Sequence, residues 1–244
     1  LRASEVRFRS LAEHSLAGIY AMRRERFLYV NPTMAEVFGY TPEEMAGNTK
    51  PLDLVVESDR LRLAQSIDQR LEGLARTAHH TWRGIRKDGR IIVVESFGSA
   101  IDWEGQPAII GTLLDVTDRT RAQEELARIA REWETTFHST NDAIWILDAN
   151  QRILRANKTA ETVVGLPCTA LMGRHCCEIV HGTSSPIPDC VYLKCLASGR
   201  REMSEIQTDR GWFEVIVDPI RDDDGRVVGA VHIMSNITER KRIE

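Results

Sequence analysis

The sequence predicts an α+β protein of two similar domains, each a five-stranded antiparallel sheet carrying a helical insert on one face, with an amphipathic helix joining them. Three observations predict it. The 244 residues contain one internal repeat: GIYAMRRERFLYVNPTMAEVFGYTPEEMAGNT lies over AIWILDANQRILRANKTAETVVGLPCTALMGRHC, and Asn31/Asn157, Gly39/Gly165 and Gly47/Gly173 keep one offset. The first copy reads as two short β-rich runs, a helix-patterned stretch and three further β-rich runs, an order the second follows more loosely. Between the copies, DRTRAQEELARIAREWETTF sets Ala122, Leu126, Ile129, Trp133 and Phe137 three or four residues apart, a single apolar stripe on a charged helix. The expected divisions are 1–117, a first domain with an N-terminal helix; 118–137, the connecting helix; and 138–244, a second domain with the start of a C-terminal helix.

The elements of the first copy follow in order. IYAM and RFLYVN, separated by RRE, read as a hairpin. Asn31-Pro32 ends the second strand, because a residue before proline is pushed away from the helical region. Met34, Val37 and Phe38 then have helical spacing, and Gly39 suits the end of that helix. Thr41-Pro42-Glu43-Glu44 places a hydroxyl at the N-cap, proline at the first helical position and carboxylates in the first turn. SDRLRLAQSIDQRLEG is a longer amphipathic helix. AHHTWRGIRK, RIIVVESFGSAI after the Lys87-Asp88-Gly89 turn, and PAIIGTLLDVT complete an antiparallel meander. A helical insert on one face of such a sheet encloses a pocket.

Composition excludes several classes. Charged residues make up 28%, hydrophobic ones 42%, and the formal net charge is −4, so nothing favours nucleic acid. The longest apolar runs, such as IIVV, fall far short of the roughly 20 residues of a membrane helix, so no membrane contact is expected. Five cysteines, four of them between 176 and 195, do not form a secreted disulfide framework. A reducing, cytoplasmic setting is expected. The chain begins at Leu1 and stops within ITERKRIE, which reads as a piece of a longer protein. Nucleophile elbow, Walker loop, zincin helix, histidine-kinase phosphoacceptor box and cyclase signature are all missing, so no enzymatic activity is expected here.

YVNPTMAEVFGYTPEEMAGN, KDGR and DVTDR in the first copy, and ILRANKTAETVVG, DDDGRVVGAV and SNITER in the second, resemble the PAS sensory domain family. The resemblance covers nearly the whole chain and implies two PAS domains of a bacterial signalling protein, a sensor histidine kinase or a cyclic-dinucleotide enzyme. It implies a small-molecule ligand or cofactor, a homodimer formed through the helical linkers, and a downstream kinase or cyclase domain. PAS domains look alike whether they bind haem, flavin, a carboxylic acid or nothing. The flavin-photoadduct motif N-C-R-F-L is missing, and SDRLRLAQSIDQRLEG lacks the histidine that haem-binding members carry there.

Candidate ligand-binding residues in the first domain are Met22, Tyr29, Met34, Phe38, Trp82 and Phe97, with Tyr20, Met45, Val94 and Leu113 in the same set of core-forming side chains. His79 and His80 are adjacent in a strand, so one faces inward. Trp145, Asn157, Trp212 and Met234, with His232, are the candidates in the second domain. GRHCCEIVHGTSSPIPDCVYLKCLASG resembles a PAS subgroup reading GkxCYevvHGxxxPCxxCPlxkaLxxG. Cys176, His181, Gly182, Pro186 and Cys190 match it, while Ile187 replaces a cysteine and Val191 a proline. Three readings stand for this cluster: packed cysteines, a redox-responsive thiol, or a metal, iron–sulfur or haem site. If a metal binds, the expected ligands are Cys177, His181, Cys190 and Cys195. The alternatives to a small-ligand sensor are thus a metal-, haem- or redox-sensing second domain and a ligand-free dimerisation scaffold.

Overall fold

The computed structural model describes residues 10–208 and 210–243. The chain divides into two compact units, with the boundary between Leu126 and Ala127. In the first unit, β1 (Gly18–Arg23) and β2 (Arg26–Val30) form the hairpin. A helical insert follows: α1 (Pro32–Phe38), α2 (Pro42–Asn48), a 3-10 turn (Pro51–Leu54) and α3 (Glu57–Leu71). The meander β3 (Thr77–Ile85), β4 (Ile91–Trp103) and β5 (Gln106–Asp115) completes an antiparallel sheet of order β2-β1-β5-β4-β3. The 3-10 turn was not expected, and the N-terminal helix falls mostly outside the described residues, of which 10–13 are helical.

Asn31 explains how the hairpin hands the chain to the insert. Its Oδ1 accepts from the Ile19 and Met34 N–H groups at 2.8 and 2.9 Å, and its Nδ2 donates to the Ala12 and Ala17 carbonyls at 2.8 and 3.0 Å. One buried amide therefore caps α1 and pins it to β1. Gly39 ends α1 at φ +77°, a left-handed conformation that a side chain resists. Thr41 and Glu44 form a reciprocal capping box on α2, and Lys87 reaches Glu44 at 2.7 Å, tying the insert to the β3–β4 turn. Asp59, in the first turn of α3, accepts from the Arg83 N–H and from its guanidinium, at 3.0 and 2.8 Å, and so holds α3 beside β3.

α4 (Thr117–Ser139) is the connecting helix, two residues longer at its C-terminal end than the apolar stripe. In the second unit β6 (Ala143–Asp148) and β7 (Ile153–Ala156) repeat the hairpin. Four short helices form the insert: α5 (Lys158–Val164), α6 (Cys168–Leu171), α7 (Cys176–His181) and α8 (Val191–Ser198). β8 (Glu202–Thr208), β9 (Gly211–Arg221) and β10 (Val227–Asn236) close a sheet of order β7-β6-β10-β9-β8, and α9 (Thr238–Ile243) follows. Asn157 repeats the role of Asn31, accepting from Ile144 and Ala160 N–H at 3.0 and 2.9 Å and donating to the Asp142 carbonyl at 2.8 Å.

Thr117 and Thr238 do the same work at both sheet exits. Thr117 Oγ1 accepts from the Val93 N–H of β4, and Thr238 Oγ1 accepts from the Trp212 N–H of β9, each at 2.9 Å. Asp115 and Asn236 in turn accept from the threonine N–H groups at 2.9 Å. The Asp/Asn-x-Thr pattern at each sheet exit is thus the joint between sheet and outgoing helix.

Candidate functional site

The first-domain site is built on one row of side chains across the sheet. Tyr20 on β1 lies opposite Gly111 on β5, which lies opposite Gly98 on β4. A Cβ on Gly111 would stand 2.5 Å from the Tyr20 ring and hydroxyl, and one on Gly98 would stand 3.2 Å from that hydroxyl. The two glycines therefore form a trough in which the Tyr20 ring lies flat across the sheet.

α3 closes the trough from above. Leu63, Ile67 and Arg70 are its buried face, at i, i+4 and i+7. Arg70 is only 5% exposed, and its Nη1 would meet a Gly98 Cβ at 2.5 Å. Its Nε donates to the Ser66 carbonyl one turn back, at 3.0 Å. The guanidinium stands beside the Tyr20 hydroxyl; burial pushes the phenol up, so Tyr20 stays neutral, and the same burial pushes Arg70 down.

Two further polar groups share this end. Trp82 Nε1 donates to Ser96 Oγ at 2.9 Å, and His80 Nε2 stands 2.7 Å from Ser66 Oγ. Burial first, then the charges of Arg62 and Arg70, hold His80 below its usual value. Met22, Met34, Leu54 and Leu113 provide apolar walls around a cavity of about 50 Å³. That is room for several waters or a ligand of a few heavy atoms.

The expected residues divide by the face of strand or helix on which each lies. Met22, Met34 and Trp82 line the cavity together with Tyr20 and Leu113. Phe38 is fully buried but stacks behind Trp82, ring centroids 6.1 Å apart, as core. Phe97 is 49% exposed, because Ser96 and Gly98 on either side of it take the inward face of β4. Tyr29 pairs with Ala21, between the inward Tyr20 and Met22, and does not line the cavity. Of the two adjacent histidines, His80 faces inward and His79 meets Glu95 at 2.7 Å on the other face. Arg70 and Ser96 were missed. Glycines at two interior strand positions were the available signal, since they mark close approach by another group.

In the second domain the equivalent row reads Trp145, His232, Val217. Trp145 and Met234 line a cavity of about 150 Å³ beside Phe213. His232 packs edge-on against Trp145 at 5.4 Å and lines a smaller cavity with His181, Cys176, Cys177 and Cys190. Trp145 Nε1 and His232 Nδ1 are buried and have no hydrogen-bond partner among the described residues. Burial, followed by the charge of His181, lowers His232 to about 4. Asn157 is spent on its capping bonds and lines neither cavity. Trp212 lies on the other face of β9 from Phe213, with Lys241 5.8 Å from its ring centroid, at the helix joint.

The four expected metal ligands separate. Cys177, His181 and Cys190 border the small cavity, whereas Cys195 is fully buried in the core, where the charges acting on it come from Asp218, Glu202 and Arg221. Among the described residues no three of His, Cys, Asp or Glu are grouped so as to hold a metal ion. The spacing along the chain was permissive, but α7 and α8 turn these side chains to different neighbours. All five cysteines are free. Burial raises Cys176 to about 12 and Cys168 to about 11, which disfavours the thiolate that redox exchange and metal binding require.

Residues 27–113 and 137–242 each match a family model described as the PAS fold. The chain belongs to the PAS family. Part of the chain is similar to part of the blue-light-activated histidine kinase of Brucella anthropi, 28% identical over 141 residues that make up 57% of this chain and 28% of the relative. The enzyme of the same name from Brucella ovis is 30% identical over 104 residues, 43% of this chain and 21% of the relative. The chain thus spans about a quarter of the length of these relatives. Among solved structures, a domain of a sensory box sensor histidine kinase/response regulator from Geobacter sulfurreducens is 23% identical, covering 46% of this chain and 94% of that one, at a TM-score of 0.40. A sensory box histidine kinase/response regulator from Burkholderia thailandensis is 25% identical, covering 52% and 95%, also at 0.40. No helix among the described residues is long and apolar enough to cross a membrane.

Proposed function

We propose that this chain is the sensory segment of a signalling protein, in which the cavity of the first PAS domain takes a small-molecule ligand and α4 carries the response. The observation that carries this reading is the cavity itself, set between α3 and the sheet, apolar on its walls and polar at the Arg70 end. A route outward is at hand. Ser96 lines the cavity, and three residues back along β4 the Val93 N–H is held by Thr117, the first residue of α4. A ligand that favours one position of β4 biases the start of the helix, provided its affinity differs between the two positions.

The far end of α4 engages the second domain. Trp133 stacks on Phe137 at 4.7 Å and lies under the Arg155 guanidinium at 4.2 Å, Glu134 pairs with Arg155, and the Lys158 N–H donates to His138 Nδ1 at 3.1 Å. Midway, Leu126 and Ile129 are 68% and 50% exposed. This supports a second copy of the chain as partner along the stripe, a pairing that would bury both residues. By analogy with the relatives' names, the output is a histidine kinase in a longer protein, and catalysis resides outside these residues.

Those relatives are named for activation by blue light. A first-domain cavity of about 50 Å³ is far below the several hundred Å³ of pockets that hold drug-sized cofactors, and N-C-R-F-L is missing, so we favour a small metabolite over a flavin. Mass spectrometry of small molecules released from the natively purified chain tests the reading. A compound of low mass should be released in proportion to protein, and re-adding it should change hydrogen exchange in α4. Exchange in α4 unchanged by a compound that demonstrably binds would overturn the signalling role. Sedimentation as a monomer at tens of micromolar would remove the dimer.

A further inference from the structure

We propose that the ligand of the first PAS domain is a short-chain monocarboxylate, its carboxylate on Arg70 and Tyr20 and its hydrocarbon tail against Met22, Met34 and Leu113. The inference rests on the cavity being a ligand site and adds the chemistry of what enters it.

The first argument is charge. Arg70 is nearly sealed from solvent, yet its recorded partners are a backbone carbonyl and a neutral phenol. Among the described residues no carboxylate pairs with it, although Asp59, Asp68 and Glu44 nearby in sequence or in the insert are each paired with another cation. A buried guanidinium without an anion carries a desolvation penalty that one carbonyl and one phenol offset only in part. Arginine presents a planar fork suited to a carboxylate, so the missing partner has an obvious chemical shape.

The second argument is space. Gly98 and Gly111 lie side by side on adjacent central strands, where side chains ordinarily fill the core. Their absent side chains leave room for the Tyr20 ring and the Arg70 head group, which a Cβ at either position would strike. The sheet is therefore shaped to bring a cation to its interior, at a place where packing alone would favour Val or Ile.

The third argument is fit. One guanidinium balances one negative charge; the other polar groups at this end are the Tyr20 and Ser96 hydroxyls and His80, which burial holds below its usual value and so towards the neutral form. Ser96 already accepts from Trp82, which leaves its own O–H to donate. A phosphate, with a charge approaching −2 near neutral pH, would be left half balanced among Met22, Met34 and Leu54. A cavity of about 50 Å³ limits the guest to a few heavy atoms, which selects acids of two to four carbons.

The test is a calorimetric titration of the whole chain with propionate, with propionamide as the uncharged isostere, and with inorganic phosphate, accompanied by NMR of the methionine methyls. Propionate should bind saturably and move the Met22 and Met34 resonances. Propionamide should bind at least about tenfold more weakly, the loss expected for one charge-assisted hydrogen-bonded contact. Arg70→Met should abolish propionate binding while leaving the hydrogen-exchange pattern of the sheet unchanged. Equal binding of propionate and propionamide, or propionate affinity unaltered in Arg70→Met, overturns the carboxylate while the cavity remains a ligand site. Phosphate that outcompetes propionate at Arg70 overturns it in favour of an inorganic anion. Failure of propionate, propionamide and 1-propanol alike to move either methionine overturns both readings, because the cavity then admits no small molecule. The comparison of isosteres needs no mutant, so it stands even if Arg70→Met folds poorly.

Discussion

The two PAS domains differ most where they should be most alike, in the row of side chains that crosses the middle of each sheet. Asn31 bonds to the Ile19 carbonyl and Asn157 to that of Ile144, which makes Tyr20 and Trp145 equivalent positions. From there the first domain continues with Gly111 and Gly98, and the second with His232 and Val217. Two missing side chains admit a buried cation in one domain. Two present side chains fill the same space in the other and leave a histidine ring sealed against Trp145. The backbone scaffold is thus common property, and the chemistry of the interior is decided by two positions in the central strands. The different surroundings of the cysteines follow the same rule: in the second domain they pack against the insert where the first has none.

The largest effect expected from breaking this contrast is Gly111→Val. Its Cβ would meet the Tyr20 hydroxyl at 2.5 Å and the Phe97 carbonyl at 2.6 Å, and the backbone cannot give way cheaply. The first domain should lose more than about 3 kcal/mol, read as faster hydrogen exchange in its sheet with the second domain unaffected. Next, Asn31→Ala should cost about 3 kcal/mol and Asn157→Ala about 2, because the first strands four buried backbone partners and the second three. Equal losses in the two domains, measured by the same exchange experiment, would contradict this ordering.

His232 gives the second domain an acid sensitivity. Its folded value of about 4 lies below the ordinary 6.5, so the unfolded chain takes up the proton first as pH falls. Stability is intact above pH 6.5 and declines from there towards pH 4, by about 2 kcal/mol once relaxation around the buried ring is allowed for. His181, Cys176, Cys177 and Cys190 line the same cavity and no carboxylate does, so nothing there would compensate the imidazolium. His232→Phe should flatten the second domain's urea-midpoint profile over that range. His80 should tilt the first domain in the same direction, since it too is held below its usual value.

The smallest effect is Asp59→Asn. Asp59 is lowered to about 2, chiefly by its hydrogen bond with Arg83, so its contribution is present above pH 3.8 and lost as pH falls towards 2. The pair is near the surface, and the substitution should lower first-domain stability at pH 7 by only about 1 kcal/mol and leave it unchanged at pH 2. A thermal unfolding series across that range checks both values.

Much of the fold was legible because its signals are local. Asn31-Pro32, the Thr41-Glu44 box, Gly39 and the Thr117 joint each act within a few residues; Asn157, Gly165 and Thr238 repeat the asparagine, the glycine and the joint, whereas α6 has no side-chain cap. Strand parity was legible for Met22 and Trp82 but misplaced Phe97 and Trp212, large aromatics whose neighbours Ser96 and Phe213 hold the inward face. Cys177, His181, Cys190 and Cys195 had acceptable spacing along the chain, yet spacing says nothing about which way two separate short helices turn their side chains.

By itself the sequence determined the repeat, the order of strands and helices, the caps that start and stop them, and the amphipathic α4, because each depends on neighbours within a turn or two or on a period along the chain. Tertiary structure alone decided that Arg70 is buried, that Gly98 and Gly111 meet side by side to make room for it, and that Cys195 faces away from the cavity that Cys177, His181 and Cys190 border. Those outcomes depend on which residues from distant elements face one another, and on the absence of a side chain, which leaves no periodic mark in a sequence.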